Sequence, residues 1–238
     1  MTPVIEADDV SRNFGTSGAE VVAVNHVSLR IGTGELLMLM GPSGSGKTTL
    51  LAMLGCILRP SSGRIRVQGK EVGTLSTTEL ARLRAETIGF VFQGFNLLSA
   101  LTGWENVALV GDFLPKHPRS MHSRSVEILK NMGLGHRIHH LPETLSAGEK
   151  QRVAFARALV NSPRIILADE PTANLDSENR DRVVSLLRQA VKEQGVSVII
   201  ATHDERILQA ADRVIRIEDG QMTDDSKHRP LHSKPSNP

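Results

Sequence analysis

An apolar run, a glycine-rich turn and a second apolar run follow one another between residues 35 and 55, as ELLMLM, GPSGSGKT and TLLAMLG. The first run suits a buried strand and the second a buried helix. Glycines let successive amides curl around a phosphate, while a lysine and a threonine at the helix start add a positive charge and a hydroxyl for magnesium. The stretch therefore predicts a strand, a phosphate-binding loop and a helix rather than an ordinary glycine-rich turn. The candidate nucleotide ligands are Gly41, Pro42, Ser43, Gly44, Ser45, Gly46, Lys47, Thr48 and Thr49, of which Thr48 is also a candidate metal ligand.

Three further apolar runs end in polar residues. They are IGFVFQ, which ends at Gln93, RIILADE, which ends at Asp169 and Glu170, and SVIIATHD, which contains His203. Runs that are apolar on both faces suit a parallel sheet covered by helices, and ligands of such sheets bind at the carboxyl ends of the strands. The pattern predicts an α/β fold in which these four polar side chains converge.

The chemistry of these four side chains suits nucleotide hydrolysis. Asp169 matches an acid that holds magnesium, Glu170 is placed to polarise an attacking water, and Gln93 can reach both the metal and the water. His203 can hold the terminal phosphate during the reaction. Taken singly, the residues also allow plainer interpretations, in which the acids cap a turn, Gln93 lies in a solvated loop and His203 is structural.

The segment LSAGEKQRVAFARAL predicts a helix that begins with a capping box. Ser146 and Glu149 have the spacing with which a hydroxyl and a carboxylate satisfy two amide donors at a helix start. Gly148 is expected to leave the backbone uncovered there, and outward N–H groups together with the helix dipole attract an anion. The segment therefore predicts a second feature that faces a phosphate.

Composition excludes several classes of protein. The net charge of +2 comes from 28 basic and 26 acidic residues, so no dense basic surface is expected and no nucleic acid is predicted as a partner. The single cysteine rules out an internal disulfide, and no apolar run approaches the ~18 residues of a membrane span. We therefore expect a cytoplasmic protein. The polar residues 223–238 are expected to form a disordered tail.

The motifs and their order resemble those of the ATP-binding cassette (ABC) ATPases. The phosphate-binding loop, Gln93, LSAGEKQR, RIILADEPTANLD and His203 match this family over residues 4–222. The resemblance implies ATP and Mg²⁺ as cofactors, and an α/β phosphate-loop ATPase core with a mixed sheet and an N-terminal antiparallel β subdomain. The implied domains are this core over residues 1–93 and 160–222, an inserted helical subdomain over residues 94–159 and the tail. LSAGE, in the helical subdomain, is called the signature motif below.

The same resemblance implies a homodimer in which two cassettes pack head to tail. Ser146 and the Gly148 amide would then face ATP held by the phosphate-binding loop of the partner, and Asp176 would lie beside that ATP. Phe14 stands where the family places an aromatic ring that stacks on adenine, although it also suits a core position on an early strand.

Two residues depart from LSGGQ, the common form of the signature motif. Ala147 replaces a glycine, which is tolerated only where φ is negative. Glu149 replaces a glutamine, and we expect its carboxylate to point back to the helix backbone instead of toward a phosphate. ATP hydrolysis is expected to survive both changes.

The stretch FVFQGFNLLSALTGWENV, the motif DEPTANLD and the short chain further resemble the branch of lipoprotein-releasing and macrolide-exporting ATPases and heterocyst glycolipid exporters. This implies an exporter, or a complex that transmits motion, with an integral membrane permease subunit that has a large external domain, at the inner face of the cell membrane. Phe95, Leu97, Leu98 and Trp104 belong either to a groove for that subunit or to the core of the helical subdomain.

The alternative function is regulation of a membrane-bound cell-wall hydrolase complex without transport. A soluble cassette that acts on nucleic acid or ribosomes is disfavoured, because the chain has one set of motifs and no basic arm.

Overall fold

The computed structural model describes residues 3–15, 20–113, 118–173 and 175–227. It divides into a first unit, Met1–Gly73 with Leu186–Pro238, and a second unit, Thr74–Ser185. The strands are β1 (Ile5–Phe14), β2 (Val21–Ile31), β3 (Leu36–Met40), β4 (Ser62–Val67), β5 (Lys70–Glu71), β6 (Ile88–Val91), β7 (Ile165–Asp169), β8 (Ser197–Thr202), β9 (Arg213–Glu218) and β10 (Gln221–Lys227). The helices are α1 (Lys47–Leu54), α2 (Thr77–Thr87), α3 (Gly103–Ala108), α4 (Pro118–Asn131), α5 (Ala147–Leu159) and α6 (Ser177–Gln194), with short 3-10 turns at Val72–Thr74, Leu109–Phe113, Pro142–Thr144 and Glu205–Ala210.

The first unit contains strands of two sheets. In one, the order is β2-β1-β4-β5 and neighbouring strands are antiparallel. In the other, β3 lies between β8 and β9 and is parallel to both, while β10 is antiparallel to β9. Every residue of β3 is buried, which is what a continuous apolar run requires of a strand covered on both faces. The second of these sheets is therefore mixed, and the predicted α/β class is confirmed.

The second unit is mainly helical. Its strands β6 and β7 pair in parallel, with Ile88 opposite Ile165, and α3 packs against α4 and α5. Helix α5 also approaches β6 closely at Gly89. A Cβ there would lie only 2.2 Å from the carbonyl oxygen of Ala158, so this approach requires glycine. The predicted helical subdomain, residues 94–159, falls inside this unit. Over the described ranges, no helix combines the length and the apolar character that crossing a membrane requires.

The chain remains regular beyond the point at which we expected a disordered tail. Strand β10 extends to Lys227 and pairs with β9, so the prediction of disorder from residue 223 is wrong for residues 223–227. Little apolar surface is needed there, because edge pairing satisfies the backbone and the Arg213 guanidinium donates to both carboxylate oxygens of Asp225. Residues 228–238 lie outside the described residues.

The ion pair on β10 makes stability depend on pH. Hydrogen bonds from Arg213 lower the pKa of Asp225 and outweigh the opposing effect of burial. We expect Asp225→Asn to lower the free energy of unfolding by about 0.5 kcal/mol at pH 7, since the pair is partly exposed. The pKa of Asp225 is lower in the folded state than its ordinary value of 3.8. The difference in free energy of unfolding between parent and variant therefore has its full size above pH 3.8 and disappears as the pH falls through the folded-state pKa.

Urea unfolding of the parent and the variant between pH 7 and pH 3 measures the effect. Asp224→Asn, a change of the same chemistry on the same strand, is the matched control and should have little influence. Equal losses in both variants, or a loss in Asp225→Asn that does not shrink as the pH falls below 3.8, would contradict the assignment.

Candidate nucleotide-binding site

The phosphate-binding loop of the first unit depends on glycines in backbone conformations that other residues rarely adopt. Gly41, Gly44 and Gly46 have φ values of 155°, 81° and 99°. Gly46 is the N-cap of α1, and no side chain caps this helix. The first N–H groups of a helix have no intrahelical partners, so the start of α1 directs open donors and its positive dipole end into the loop.

Lys47 folds back over the loop. Its side chain is buried, and Nζ donates to the carbonyl oxygens of Gly41 and Pro42, each at 2.7 Å. The buried Ser45 Oγ has no hydrogen-bond partner among the described residues. A buried hydroxyl without a partner is costly, and a phosphate oxygen in the loop would satisfy it. The cation, the open amides and this hydroxyl together fit a polyphosphate.

The remaining candidate ligands of the first unit take positions around this loop. Thr48, the second residue of α1, is exposed, as is Ser43, while Thr49 is half-buried. His203 directly follows β8, whose last residue Thr202 pairs with Met40 at the end of β3. The exposed His203 and the loop therefore follow the ends of two neighbouring parallel strands.

Phe14 is the last residue of β1 and is 38% exposed. The alternative of a core phenylalanine is therefore wrong. The Arg12 guanidinium lies over the ring, 4.8 Å from the centroid. A ring at this position can offer a face to a flat ligand, and stacking of adenine on it stays a prediction.

In the second unit, Gln93, Asp169 and Glu170 come from two paired strands. Val91, the last residue of β6, pairs with Ala168, so Gln93 and the two acids follow the same edge of this parallel pair. Gln93 is exposed, and both acids are half-buried. The structure thus brings these three together in the second unit, and the loop and His203 together in the first.

Glu170 adopts a backbone conformation unusual for its residue type. Its φ is 44°, in the left-handed region, and its carbonyl oxygen accepts a hydrogen bond from the Ala173 N–H at 3.1 Å. A left-handed non-glycine residue costs of order 1 kcal/mol, and such residues cluster at functional sites. The turn sets the direction in which this carboxylate leaves β7.

The helix of the signature motif begins as predicted. Ser146 is the N-cap of α5; its Oγ accepts from the Glu149 N–H at 3.3 Å, and Glu149 Oε2 accepts from the Ser146 N–H at 2.8 Å. Ala147 is the first helical residue and is not among the residues with positive φ. The capping box and the backward orientation of Glu149 are both confirmed.

Arg137 explains how the chain accommodates an acid in the signature motif. Its Nε donates to Glu149 Oε1 at 3.1 Å. Burial acts to raise the pKa of Glu149, but the hydrogen bonds from Ser146 and the charge of Arg137 outweigh it, so the pKa lies below its ordinary value. The carboxylate is thus engaged on both oxygens within its own chain.

Gly148 is covered, contrary to the expectation that it leaves the backbone open. It is buried, and a Cβ there would lie 2.5 Å from Oδ1 of Asn179. Asp176, at the start of α6, is exposed and accepts from both the backbone N–H and the Nδ2 of Asn179. Asn179 was missed because its contact with Gly148 is distant in sequence, although its position three residues after Asp176 signals a helix cap.

The segment that follows Gln93 is anchored by two polar side chains that sequence patterns did not reveal, the half-buried Arg157 and the buried Asn106. Arg157 of α5 donates to the carbonyl oxygens of Phe95 and Asn96, both of which have positive φ. Asn106 of α3 is almost fully buried, and its side chain hydrogen-bonds the backbone of Leu98 and the carbonyls of residues 101 and 102. Helices α5 and α3 therefore determine the shape of this segment.

The four apolar residues assigned either to a groove or to the subdomain core differ in exposure. Leu98 is 50% exposed, whereas Phe95, Leu97 and Trp104 are half-buried. The Trp104 and His122 rings also form a T-shaped pair whose centroids lie 4.6 Å apart. Leu98 is therefore the member of this group that is open to a partner.

Comparison with known proteins agrees with this geometry. The family model described as ABC transporter matches residues 24–173. The macrolide export ATP-binding/permease protein MacB of Marinobacter nauticus is 43% identical over 94% of this chain, and that of Azoarcus sp. is 44% identical over 100%. Each match covers 35% of the relative, so the chain spans about a third of the length of these curated relatives.

Solved structures agree as well. The dimeric ATP-binding cassette MJ0796 in a post-hydrolysis state with ADP and Pi has a TM-score of 0.89 and 37% identity, covering 94% of this chain and 99% of that one. The cassette cbiO1 of Clostridium perfringens has a TM-score of 0.82 and 32% identity, covering 95% and 89%. Fold and site thus define a phosphate-loop nucleotide hydrolase. The chain belongs to the ABC transporter family and is one of its ATP-hydrolysing cassettes.

The contacts of Glu149 predict graded effects of substitution. Glu149→Gln keeps an oxygen for the Ser146 N–H but loses the charge that pairs with Arg137, so we expect a loss of about 0.5 kcal/mol in the free energy of unfolding at pH 7. Glu149→Ala also loses the cap and should lose about 1–2 kcal/mol. The pKa of Glu149 is lower in the folded state than its ordinary value of 4.5. The difference in free energy of unfolding between the parent and the Gln variant therefore has its full size above pH 4.5 and disappears as the pH falls through the folded-state pKa.

Urea unfolding at pH 7 and at stepwise lower pH tests this order. Glu127→Gln, an exposed change on α4, serves as the control. If the Gln and Ala variants lost the same free energy at pH 7, the capping carboxylate would not have the role assigned to it.

Proposed function

We propose that this chain is the ATPase of an exporter-type membrane complex and works as a head-to-tail homodimer. The observation that carries the proposal is the phosphate-binding loop. There the open start of α1 and the folded-back Lys47 lie beside the buried Ser45 hydroxyl, which has no hydrogen-bond partner in the part of the chain that the structure describes. The loop amides and Lys47 bind the phosphates of ATP, and Phe14 stacks on the adenine.

Hydrolysis follows from the polar residues at the strand ends. Glu170 orients and polarises the attacking water, and His203 holds the terminal phosphate as charge develops on it. Thr48, Gln93 and Asp169 carry oxygens of the hard type that magnesium prefers and would hold this ion, which would supply charge neutralisation at the phosphate.

The partner cassette supplies the other face of the nucleotide. The capping box satisfies the N–H groups of Ser146 and Glu149. The two N–H groups between them, of residues 147 and 148, belong to the first turn of α5, where a helix offers no acceptor of its own. In the dimer, Ser146 and Asp176 face the ATP of the partner. The Gly148 amide was expected to join them, but it belongs to a buried residue that Asn179 covers. Two solved cassettes at 37–38% identity are described as dimeric, which supports the dimer.

The membrane partner is proposed from the relatives. They are named ATP-binding/permease proteins, and about two thirds of their length lies beyond the region matched by this chain. A permease subunit with a large external domain would place the chain at the inner face of the cell membrane. No nucleic acid is expected as a partner.

Glu170→Gln tests the catalytic assignment. The amide cannot accept the proton of the attacking water, so we expect ATP turnover to fall by about 100-fold or more while ATP binding and an ATP-dependent dimer persist. Phosphate release measures turnover, and light scattering with and without ATP measures the dimer. Glu178→Gln, on the exposed start of α6, is the matched control. Wild-type turnover in Glu170→Gln would remove Glu170 from this role.

The same variant tests the membrane part of the proposal. Tagged Glu170→Gln, purified with ATP from detergent-solubilised membranes, should retain an integral protein with a large external domain. Lys47→Ala is the negative control, because loss of the phosphate-binding amine should prevent the ATP-dependent dimer. A partner complex that contains a cell-wall hydrolase would favour the regulatory alternative. Reproducible absence of any membrane protein would contradict both.

A further inference from the structure

The side chain of Asn179 connects two parts of the second unit that the proposed function assigns to one nucleotide. Its Nδ2 donates to Asp176 Oδ2 at 2.8 Å, and its Oδ1 accepts from the Arg152 guanidinium of α5 at 3.2 Å. The carboxamide also covers Gly148, since a Cβ there would lie 2.5 Å from Oδ1 and 2.6 Å from Cγ. One small group therefore contacts both the Asp176 carboxylate and the first turn of α5.

Capping of α6 does not account for these contacts. The Asp176 carboxylate already caps α6 by accepting a hydrogen bond from the backbone N–H of Asn179, at 2.8 Å to Oδ1, and this bond does not involve the Asn179 side chain. The side chain adds a second bond to the same carboxylate and extends it to α5. It accepts from Arg152, which is half-buried. The Nε of Arg152 is buried and has no hydrogen-bond partner among the described residues.

A carboxamide is suited to this connection in a way that residues of similar size are not. Asparagine offers a donor and an acceptor at once, aspartate at neutral pH offers only acceptors, and leucine offers neither. Asp176 requires the donor and Arg152 requires the acceptor. The absence of a side chain at Gly148 lets the group approach the start of α5.

We propose that Asn179 is a positioning residue, which holds the start of α5 and Asp176 in one fixed arrangement so that both meet the nucleotide of the partner cassette together. This rests on the proposed homodimer. Displacement of one element relative to the other would misplace part of the contacts around the reacting phosphate. A misplacement of about 1 Å can lower a reaction rate by about a hundredfold.

Two variants of similar size separate the contacts. Asn179→Leu removes both the donor and the acceptor, while Asn179→Asp keeps an acceptor for Arg152 but places an oxygen against Asp176. Gln189→Glu, the same kind of amide-to-acid change at an exposed position of α6, is the matched control. Because the Asp variant keeps the contact with α5, it also serves if the Leu variant folds poorly.

The first measurement is hydrogen exchange without nucleotide. The Lys150 N–H donates to the Ser146 carbonyl and the Arg180 N–H to the Asp176 carbonyl, each at 2.9 Å, so these two amides report on the first turns of α5 and α6. We expect Asn179→Leu to speed exchange at both by about tenfold, and Asn179→Asp to do so mainly at Arg180. Unchanged exchange at Lys150 in Asn179→Leu would overturn the proposal.

The second measurement is steady-state ATP hydrolysis. We expect both Asn179 variants to lower kcat by about tenfold to a hundredfold while KM for ATP changes by less than about threefold. A merely structural role would lower the thermal midpoint and leave the kcat of the folded fraction unchanged, and that result would overturn the proposal. Absence of ATP hydrolysis in the unmodified chain would instead refute the proposed function, while the exchange data would still decide whether Asn179 connects the two helix starts.

Discussion

The phosphate-binding loop is held by two backbone segments that approach its glycines more closely than any side chain would permit. These two positions therefore require glycine. A Cβ at Gly41 would lie 2.1 Å from a carbonyl oxygen of β9, and a Cβ at Gly46 would lie 2.1 Å from a carbonyl oxygen of β2. The turn between β9 and β10 adds a hydrogen bond from the Gly220 N–H to the Ser45 carbonyl. The loop is thus supported by strands of both sheets in the first unit, including the C-terminal hairpin, and its open amides depend on parts of the chain remote in sequence.

The two helix starts assigned to phosphate are built differently, and each construction suits its ligand. The start of α1 has no side-chain cap, so its donors are stabilised when a phosphate enters the loop. The start of α5 is capped by Ser146 and Glu149, and Arg137 neutralises the capping acid. A capped helix keeps its shape without a ligand, which is appropriate where the proposed ligand arrives with a second protein chain.

Local patterns predicted the local structure well. The phosphate-binding loop, the capping box and the orientation of Glu149 each depend on residues a few positions apart, and spacing alone revealed them. The errors have two causes. The cover over Gly148 comes from Asn179 on another helix, and Arg157 binds carbonyls about 60 residues away, so spacing along the chain could not reveal either contact. The hairpin of β9 and β10 and the contacts of Asn106 are local, but the polar composition of residues 223–227 hid the strand and no periodic pattern marks a buried asparagine.

The anchoring of the segment after Gln93 has a mechanical consequence within the second unit. Arg157 lies near the end of the helix whose start carries Ser146, and burial lowers the pKa of its guanidinium without removing the charge. Its hydrogen bonds to the carbonyls of Phe95 and Asn96 involve a charged donor and are worth about 1.5–3 kcal/mol each. Moving this segment alone would break them, whereas moving it together with α5 would not. Displacement of the segment that carries the exposed Leu98 therefore costs least when the signature motif moves as well. In the complex proposed above, a push on this segment near one end of α5 would reach Ser146 at the other end.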